Sequence, residues 1–390
     1  MDETRGIEVL SFAFSANSNS NVEAILHPPN WMLWINFFLV LFMATIFLSL
    51  LGWISFYMVE HDFKHKAYFY VLFAMTYTAG VFSPALVMDK FKFLTSSKML
   101  FSMISIINHL KLLEVLMKTY PSEAARNMKS WLVYFSSMVE PSYDNGNPSK
   151  AKPGQKTKYI KLIIFKILLG SILVSVGMNS NPKFLPFGDI NKRTNIAPDN
   201  FEDFKFLFLN NALHTFVFYF IFGTLANIVA LMLTIVGYQA KDFFRNPFLL
   251  SKSPRDFWGN RWNLTIHGIL KRSYFEPVKK RFGTKCGSFV AFMVSGLFHE
   301  VLWCMAFKIA PNGFHHFGMV LKFFLMMFLL CCLPWPDQDK IKNGSWLLTL
   351  ATIIPGLCVA HYFFGAFLNA ELFEEVGKLF PYITLEGIQL

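Results

Sequence analysis

From residue 31 onward the chain alternates long apolar runs with polar and basic connections. Eight runs stand out, at about 31–59, 67–88, 99–117, 159–177, 205–237, 287–309, 314–333 and 345–368. A helix of about 20 apolar residues crosses the ~30 Å hydrocarbon layer of a bilayer with its backbone hydrogen bonds made internally. The pattern therefore predicts an all-α polytopic membrane protein with about eight transmembrane helices. At roughly 33 residues, about 50 Å of helix at 1.5 Å per residue, the run at 205–237 must tilt, kink or extend into protein as one crossing. It holds His214, a secondary functional candidate. The run at 99–117 is interrupted by His109, Lys111 and Glu114. The last two would pair with each other or with neighbouring helices, or else touch a ligand.

The connections differ in kind. Residues 1–30 are rich in Asn and Ser and read as a polar N-terminal tail unlikely to pack by itself, leaving 31–390 as a single membrane-embedded domain. No cleavable leader is read in that tail, and the first run is expected to serve as the insertion signal. The connection at 118–158 carries four prolines and several Gly and Lys residues, the composition of a mobile, water-exposed loop. The connection at 238–286 is too aromatic for a linker, because its Lys and Arg interleave with Phe and Trp. Beyond Asn263, apolar Leu264, Ile266, Ile269, Leu270 and Tyr274 predict a short amphipathic helix lying on or re-entering the membrane. Its basic face suits phosphates, either of a ligand or of anionic lipid headgroups.

Composition sharpens this picture. Hydrophobic residues make up 54% of the 390 and charged residues only 16%, far from a soluble domain. The formal charge of +11 would suit nucleic acid, but the Lys and Arg lie in the connections rather than on one soluble face, so membrane topology accounts for them better. The first, third, fifth and seventh connections carry most of these cations. The positive-inside rule then puts them in the cytosol and both termini on the far side. The five cysteines lack Cys-x-x-Cys spacing and read as unpaired core residues. His61 and His65 resemble the first histidine box of membrane di-iron enzymes, but His315-His316 lacks spaced partners, so no metal site is expected.

The candidate chemistry gathers in two motifs. Residues 255–263 read Arg-Asp-Phe-Trp-Gly-Asn-Arg-Trp-Asn, and residues 295–300, inside the sixth run, read Ser-Gly-Leu-Phe-His-Glu. An imidazole held in a run long enough to span a bilayer is costly and reads first as functional, the bland alternative for His299 being a core histidine bonded to a neighbouring helix. A neutral imidazole in an apolar site suits a base that takes a hydroxyl proton. Glu300 follows at once, but neighbours on a helix point about 100° apart, so a relay to His299 is not expected. Asn263 could donate to a developing oxyanion, orient the imidazole, or simply cap the helix beginning at Leu264.

In this order, and in a chain of about eight crossings, the two motifs resemble the membrane-bound O-acyltransferases, particularly their wax-synthase-like branch, most closely over about 246–335. The resemblance implies that family's all-α membrane fold. It implies His299 as catalytic base, Asn263 as its polar assistant, and an acyl-CoA-binding loop comprising Arg255, Asp256, Trp258, Arg261 and Trp262. It implies an enzyme of the endoplasmic reticulum that forms an ester from an acyl-CoA donor and a lipophilic alcohol, with no metal and no resident cofactor. Sterols or diacylglycerol stand as alternative acceptors of the same family. The rival class, a membrane transporter, would show broken helices at matching places in two repeated halves, and no such repeat is visible.

Overall fold

The computed structural model describes residues 10–17, 20–61, 67–90, 95–145, 147–179, 201–307, 318–336, 346–369 and 372–386. Strands β1 (Leu10–Asn17) and β2 (Ser20–His27) precede α1 (Trp31–Glu60). Asn30 starts that helix, its side-chain oxygen accepting from the amides of Met32 and Leu33. Next come α2 (Ala67–Lys90), α3 (Thr95–Met117), the short α4 (Met128–Ser136), and the two-residue strands β3 (Tyr143–Asp144) and β4 (Asn147–Pro148). The long helices α5 (Gln155–Asn179) and α6 (Phe201–Ile235) follow. Then α7 (Pro247–Leu250) and α8 (Pro254–Asp256) lead through a π-helical turn, Phe257–Arg261, to α9 (Leu264–Leu270). A second π turn, Lys271–Phe275, joins α9 to α10 (Glu276–Phe307). The chain ends with α11 (Met319–Cys332), α12 (Trp346–Val359), α13 (His361–Asn369), α14 (Leu372–Gly377) and β5 (Tyr382–Glu386).

The described part of each apolar run is helical, the eighth as the two helices α12 and α13, and the membrane body is all-α. Among the described residues five helical stretches are long and apolar enough to cross a bilayer: α1, α3, α5, α6 and Leu264–Phe307, which is kinked at Gly283 (φ 84°, ψ 170°). A sixth is made by α12 with the start of α13, bent by 50°. The apolar part of α2, Ala67–Phe82, and α11 are shorter. At 14 residues, α11 rises about 21 Å, short of the ~30 Å layer. The expectation of eight full crossings thus becomes five or six by length, within an integral membrane protein.

Two connections depart from their reading as loose polar stretches. The stretch 118–158 contains α4, whose Trp131 and Phe135 are fully buried, and isolated bridges tie Pro141 to Ala240 and Lys150 to Tyr238. Its mobility was inferred from Pro and Lys content, but the apolar positions of α4 bury against α1 and α3. The stretch read as a tail holds β1 and β2, which pair antiparallel and continue onto β5 in the order β1-β2-β5. It does not pack by itself; the C-terminal strand completes the sheet, and the Trp34 indole donates to the Leu379 carbonyl at 2.9 Å. The two cation-rich connections therefore share one end of the bundle, and both terminal segments share the other.

His65, His315, His316 and the 180–200 connection lie outside the described residues. Of the cysteines, Cys331 is buried as a core residue would be, but Cys286 and Cys332 are exposed.

Candidate active site

A cavity of about 600 Å³ lies within the bundle, walled by α1, α3, α6 and the segments from α8 through α13. Along α6 its lining runs from Thr215 to Val229, about 21 Å of helix at 1.5 Å per residue. Most of the lining is apolar, so the few polar groups stand out: Arg255, Asn260, Asn263, His267, Lys271, Ser288, Ser295 and His299 among them. Apolar walls with a few convergent polar groups are the usual form of a small-molecule site.

His299 is set by its own helix. Its Nδ1–H donates to the Ser295 carbonyl, one turn back, at 2.7 Å. That bond fixes the tautomer and leaves Nε2 with its lone pair. Three rings cage the imidazole: Phe324 at 5.0 Å, Phe363 at 5.4 Å and Trp303 at 5.7 Å between centroids. The alternative of a histidine bonded to a neighbouring helix is not what is seen. Gly296 lets α11 approach this turn, since a Cβ there would lie 2.9 Å from Leu321 Cδ1 and 3.2 Å from Phe324 Cβ. Glu300 points elsewhere, as its place on the helix requires. It is buried, and its Oε1 accepts from the Leu321 amide at 3.1 Å, near the start of α11, where amides lack helical partners and a negative charge is favoured. One helix turn thus carries an imidazole toward the cavity and a carboxylate that positions the helix bearing Phe324.

Asn263 occupies the left-handed region, φ 41° and ψ 61°, which Asn tolerates better than most residues. Its Oδ1 accepts from the Ile266 amide at 3.3 Å, making it the N-cap of α9. The cap reading is therefore correct, and it leaves the side-chain NH₂ for the cavity that Asn263 also lines. His267 and Lys271 follow at four-residue steps and line the cavity too, so one face of α9 and its π turn forms a polar stripe. Sequence reasoning passed over His267 and Lys271 as cavity residues. Their spacing from Asn263 was the signal available.

The five loop residues separate into two groups. Trp258 and Trp262 line the cavity. Trp262 is set among Tyr219, Phe244, Phe248 and Phe257, and Trp258 reaches Phe324, the ring over His299. Arg255 also lines it while its Nε donates to the Cys331 carbonyl at 2.6 Å, capping the end of α11. Asp256 and Arg261 do not line it. Arg261 Nε pairs with Asp256 Oδ2 at 2.6 Å, and the buried carboxylate also accepts from the Lys252 amide and the Asn260 side chain. This pair fixes the π turn that aims the two tryptophans. His214 is buried against Phe364 and Phe373 and does not line the cavity.

Behind α9 lies a second polar cluster. Arg272 donates from Nε to Glu114 at 2.9 Å and from a terminal nitrogen to Glu140 at 3.4 Å. Lys241 also binds Glu140, at 2.7 Å, and the Tyr134 hydroxyl donates to Glu114. Burial and the nearby Glu114 carboxylate push the Tyr134 phenol well above its ordinary value, so it stays a donor. Lys111 caps α4, its ammonium reaching the carbonyls of Tyr134, Phe135 and Ser137 at 2.8 Å each. Lys111 and Glu114 thus serve neighbouring elements. Among the described residues no three His, Cys, Asp or Glu side chains gather as metal ligands would.

Residues 240–326 match the membrane bound O-acyl transferase family, a stretch that contains both sequence motifs and most of the cavity's polar lining. The chain is 26% identical over 224 residues to the "Probable long-chain-alcohol O-fatty-acyltransferase 2" of Arabidopsis thaliana, covering 55% of this chain and 57% of that one. It is 32% identical over 108 residues to the "Long-chain-alcohol O-fatty-acyltransferase" of Simmondsia chinensis, 25% of this chain and 30% of that one. It is 29% identical over 110 residues to the "Acyl-CoA--sterol O-acyltransferase 1" of Arabidopsis thaliana, 26% of this chain and 30% of that one. The chain spans about half the length of the first of these relatives and less of the others.

Proposed function

We propose that this chain, whose 240–326 stretch carries the membrane-bound O-acyltransferase match, transfers a fatty acyl group from acyl-CoA to a long-chain alcohol. The observation that carries the reading is His299, fixed as the Nδ1–H tautomer at an apolar cavity that Asn263 also lines. In the reaction His299 Nε2 takes the alcohol's proton as its oxygen attacks the thioester carbonyl. The tetrahedral oxyanion collapses to the ester, and the departing thiolate takes that proton from the imidazolium, so no proton is gained or lost overall. Asn263 donates from its side-chain NH₂ to the oxyanion. The apolar wall excludes water, which would otherwise compete as acceptor. No resident cofactor enters this scheme. The lipophilic alcohol suits a multi-pass enzyme of the endoplasmic reticulum, with the cation-rich end toward cytosolic acyl-CoA. The test is an assay of membranes holding the protein with labelled acyl-CoA against linear alcohols, sterol and diacylglycerol. Ester with the linear alcohol is expected, and no ester with any acceptor would defeat the reading.

Asn263→Asp separates the cap from the donor. An aspartate still caps α9 and tolerates the left-handed backbone, but it cannot donate. The protein should accumulate normally while kcat falls about 10²–10³-fold, the loss expected for one oxyanion donor. Unchanged kcat would leave Asn263 a cap only.

The donor's charged head is assigned to Lys271 rather than to Arg261. Lys271 is exposed and lines the cavity, so Lys271→Ala should raise the donor KM and leave folding intact. Arg261→Ala strands the buried Asp256 carboxylate and should lower the amount of folded protein. A raised donor KM in Arg261→Ala alone, with normal accumulation, would reverse the assignment.

A further inference from the structure

α5 carries a cation that neither the cavity nor the ion pairs account for. Lys166 lies about 17 Å along α5 from Gln155 at 1.5 Å per residue, near the middle of a ~30 Å hydrocarbon layer, and it is buried. Among the described residues no acid stands beside it. Its ammonium lies instead against two rings, 5.1 Å from the centroid of Tyr219 and 5.6 Å from that of Phe244. The stem runs in a slot that Gly223 leaves on α6, where a Cβ would lie 2.3 Å from Nζ and 3.0 Å from Cδ and Cε. Tyr219 and Gly223 are one helical turn apart, so α6 supplies both the slot and one of the rings.

A cation–π contact offsets only part of the cost of holding an ammonium in hydrocarbon. Packing alone would be served better by a methionine, which fills the same slot without a charge. The rings show where the charge acts. Tyr219 and Phe244 lie 5.3 Å apart, and both neighbour Trp262, at 6.3 Å and 4.8 Å. Phe244 and Trp262 line the cavity, whereas Tyr219 and Lys166 do not. The ammonium thus stands behind the aromatic wall.

We propose that Lys166 is a positioning residue for the acyl donor: seated by Gly223, its ammonium holds the Tyr219 and Phe244 rings and through them fixes Trp262 against the donor's pantetheine arm. The proposal rests on the acyl-transfer reading. Trp262 belongs to the same connection as Lys271, to which the donor's charged head is assigned, so a displaced indole weakens donor binding and leaves the alcohol's approach to His299 unchanged.

The test measures ester formation in membranes, and the thermal unfolding midpoint of the extracted protein, for wild type, Lys166→Met, Lys166→Arg and Gly223→Ala. Lys166→Met should raise the donor KM about five- to tenfold, with the acceptor KM and kcat within about twofold of wild type. Its midpoint should equal or exceed that of wild type, because an unpaired buried charge is removed. Lys166→Arg keeps a cation that stacks on aromatic faces and should restore most of the donor KM. Gly223→Ala keeps the charge but displaces it, and should raise the donor KM as the methionine variant does. In a Trp262→Ala background Lys166→Met should add nothing, as residues acting through one group require. An unchanged donor KM in Lys166→Met, or a fall confined to kcat, overturns the proposal. A lowered midpoint makes Lys166 a packing residue and overturns it as well. If Gly223→Ala fails to accumulate, the two Lys166 variants decide. Wild type without ester on any acceptor defeats the acyl-transfer reading itself, a result distinct from an active wild type indifferent to Lys166.

Discussion

His299→Ala is expected to accumulate in membranes like wild type and to form ester at a rate lower by about 10²–10⁴, the usual worth of a positioned general base. The structure supports both halves of that expectation. The imidazole's hydrogen bond runs to Ser295 on its own helix, so its removal breaks no polar tie between helices. The three rings around it can close partly over the missing side chain, and the residue is only half-buried, so the cost in packing is modest. His299→Gln keeps bulk and a hydrogen-bonding amide but cannot take a proton at neutral pH, and should be as inactive as the alanine variant. Rates of ester formation per mole of folded protein, read with the amount of protein by size exclusion, check both. More than half of wild-type activity in either variant would remove His299 from the chemistry.

What could be read without coordinates follows from physical scale. Helices spanning a bilayer need long apolar runs, so every crossing candidate showed itself in sequence, and His299 stood out because an imidazole is out of place in such a run. The tryptophans were legible because they sit in a motif within a connection too aromatic for a linker. Short elements and long-range pairs were not. α4 has nine residues and is recognisable only by what it buries. The pairing of β2 with β5 joins positions more than 350 residues apart. A motif treats its charged members alike, so Arg255 and Arg261 looked equivalent. Only the fold shows that one lines the cavity and the other is held by Asp256. Lys271 was hidden for the opposite reason, since a cation in a cation-rich connection carries no distinguishing mark until the helix face is known, and that face is what also brings in His267.

The Glu114–Arg272 pair predicts the largest loss of folded protein. Glu114 is fully buried on α3, and Arg272, in the π turn after α9, reaches both it and Glu140. The guanidinium thereby ties α3 and the 118–158 connection to the segment between Asn263 and His299. Breaking a buried ion pair from one side costs about 3–5 kcal/mol, because the remaining charge stays desolvated, and the whole stability of a typical domain is only about 5–15 kcal/mol. Arg272→Met should therefore leave little folded protein after detergent extraction, with a clearly lowered midpoint of thermal unfolding for what remains. Arg272→Lys should recover only part, since an ammonium lacks the fork that serves two carboxylates at once. Glu114→Gln combined with Arg272→Met removes the stranded charge while keeping an acceptor for the Tyr134 hydroxyl. The double variant should be more stable than Arg272→Met alone, as a coupled pair requires. If Arg272→Met unfolds at the wild-type midpoint, the pair contributes nothing to stability, and the α9 segment is held instead by contacts such as those of Ile269 and Leu270 with Leu110 and by the Glu140–Thr265 and Thr119–Ser273 hydrogen bonds.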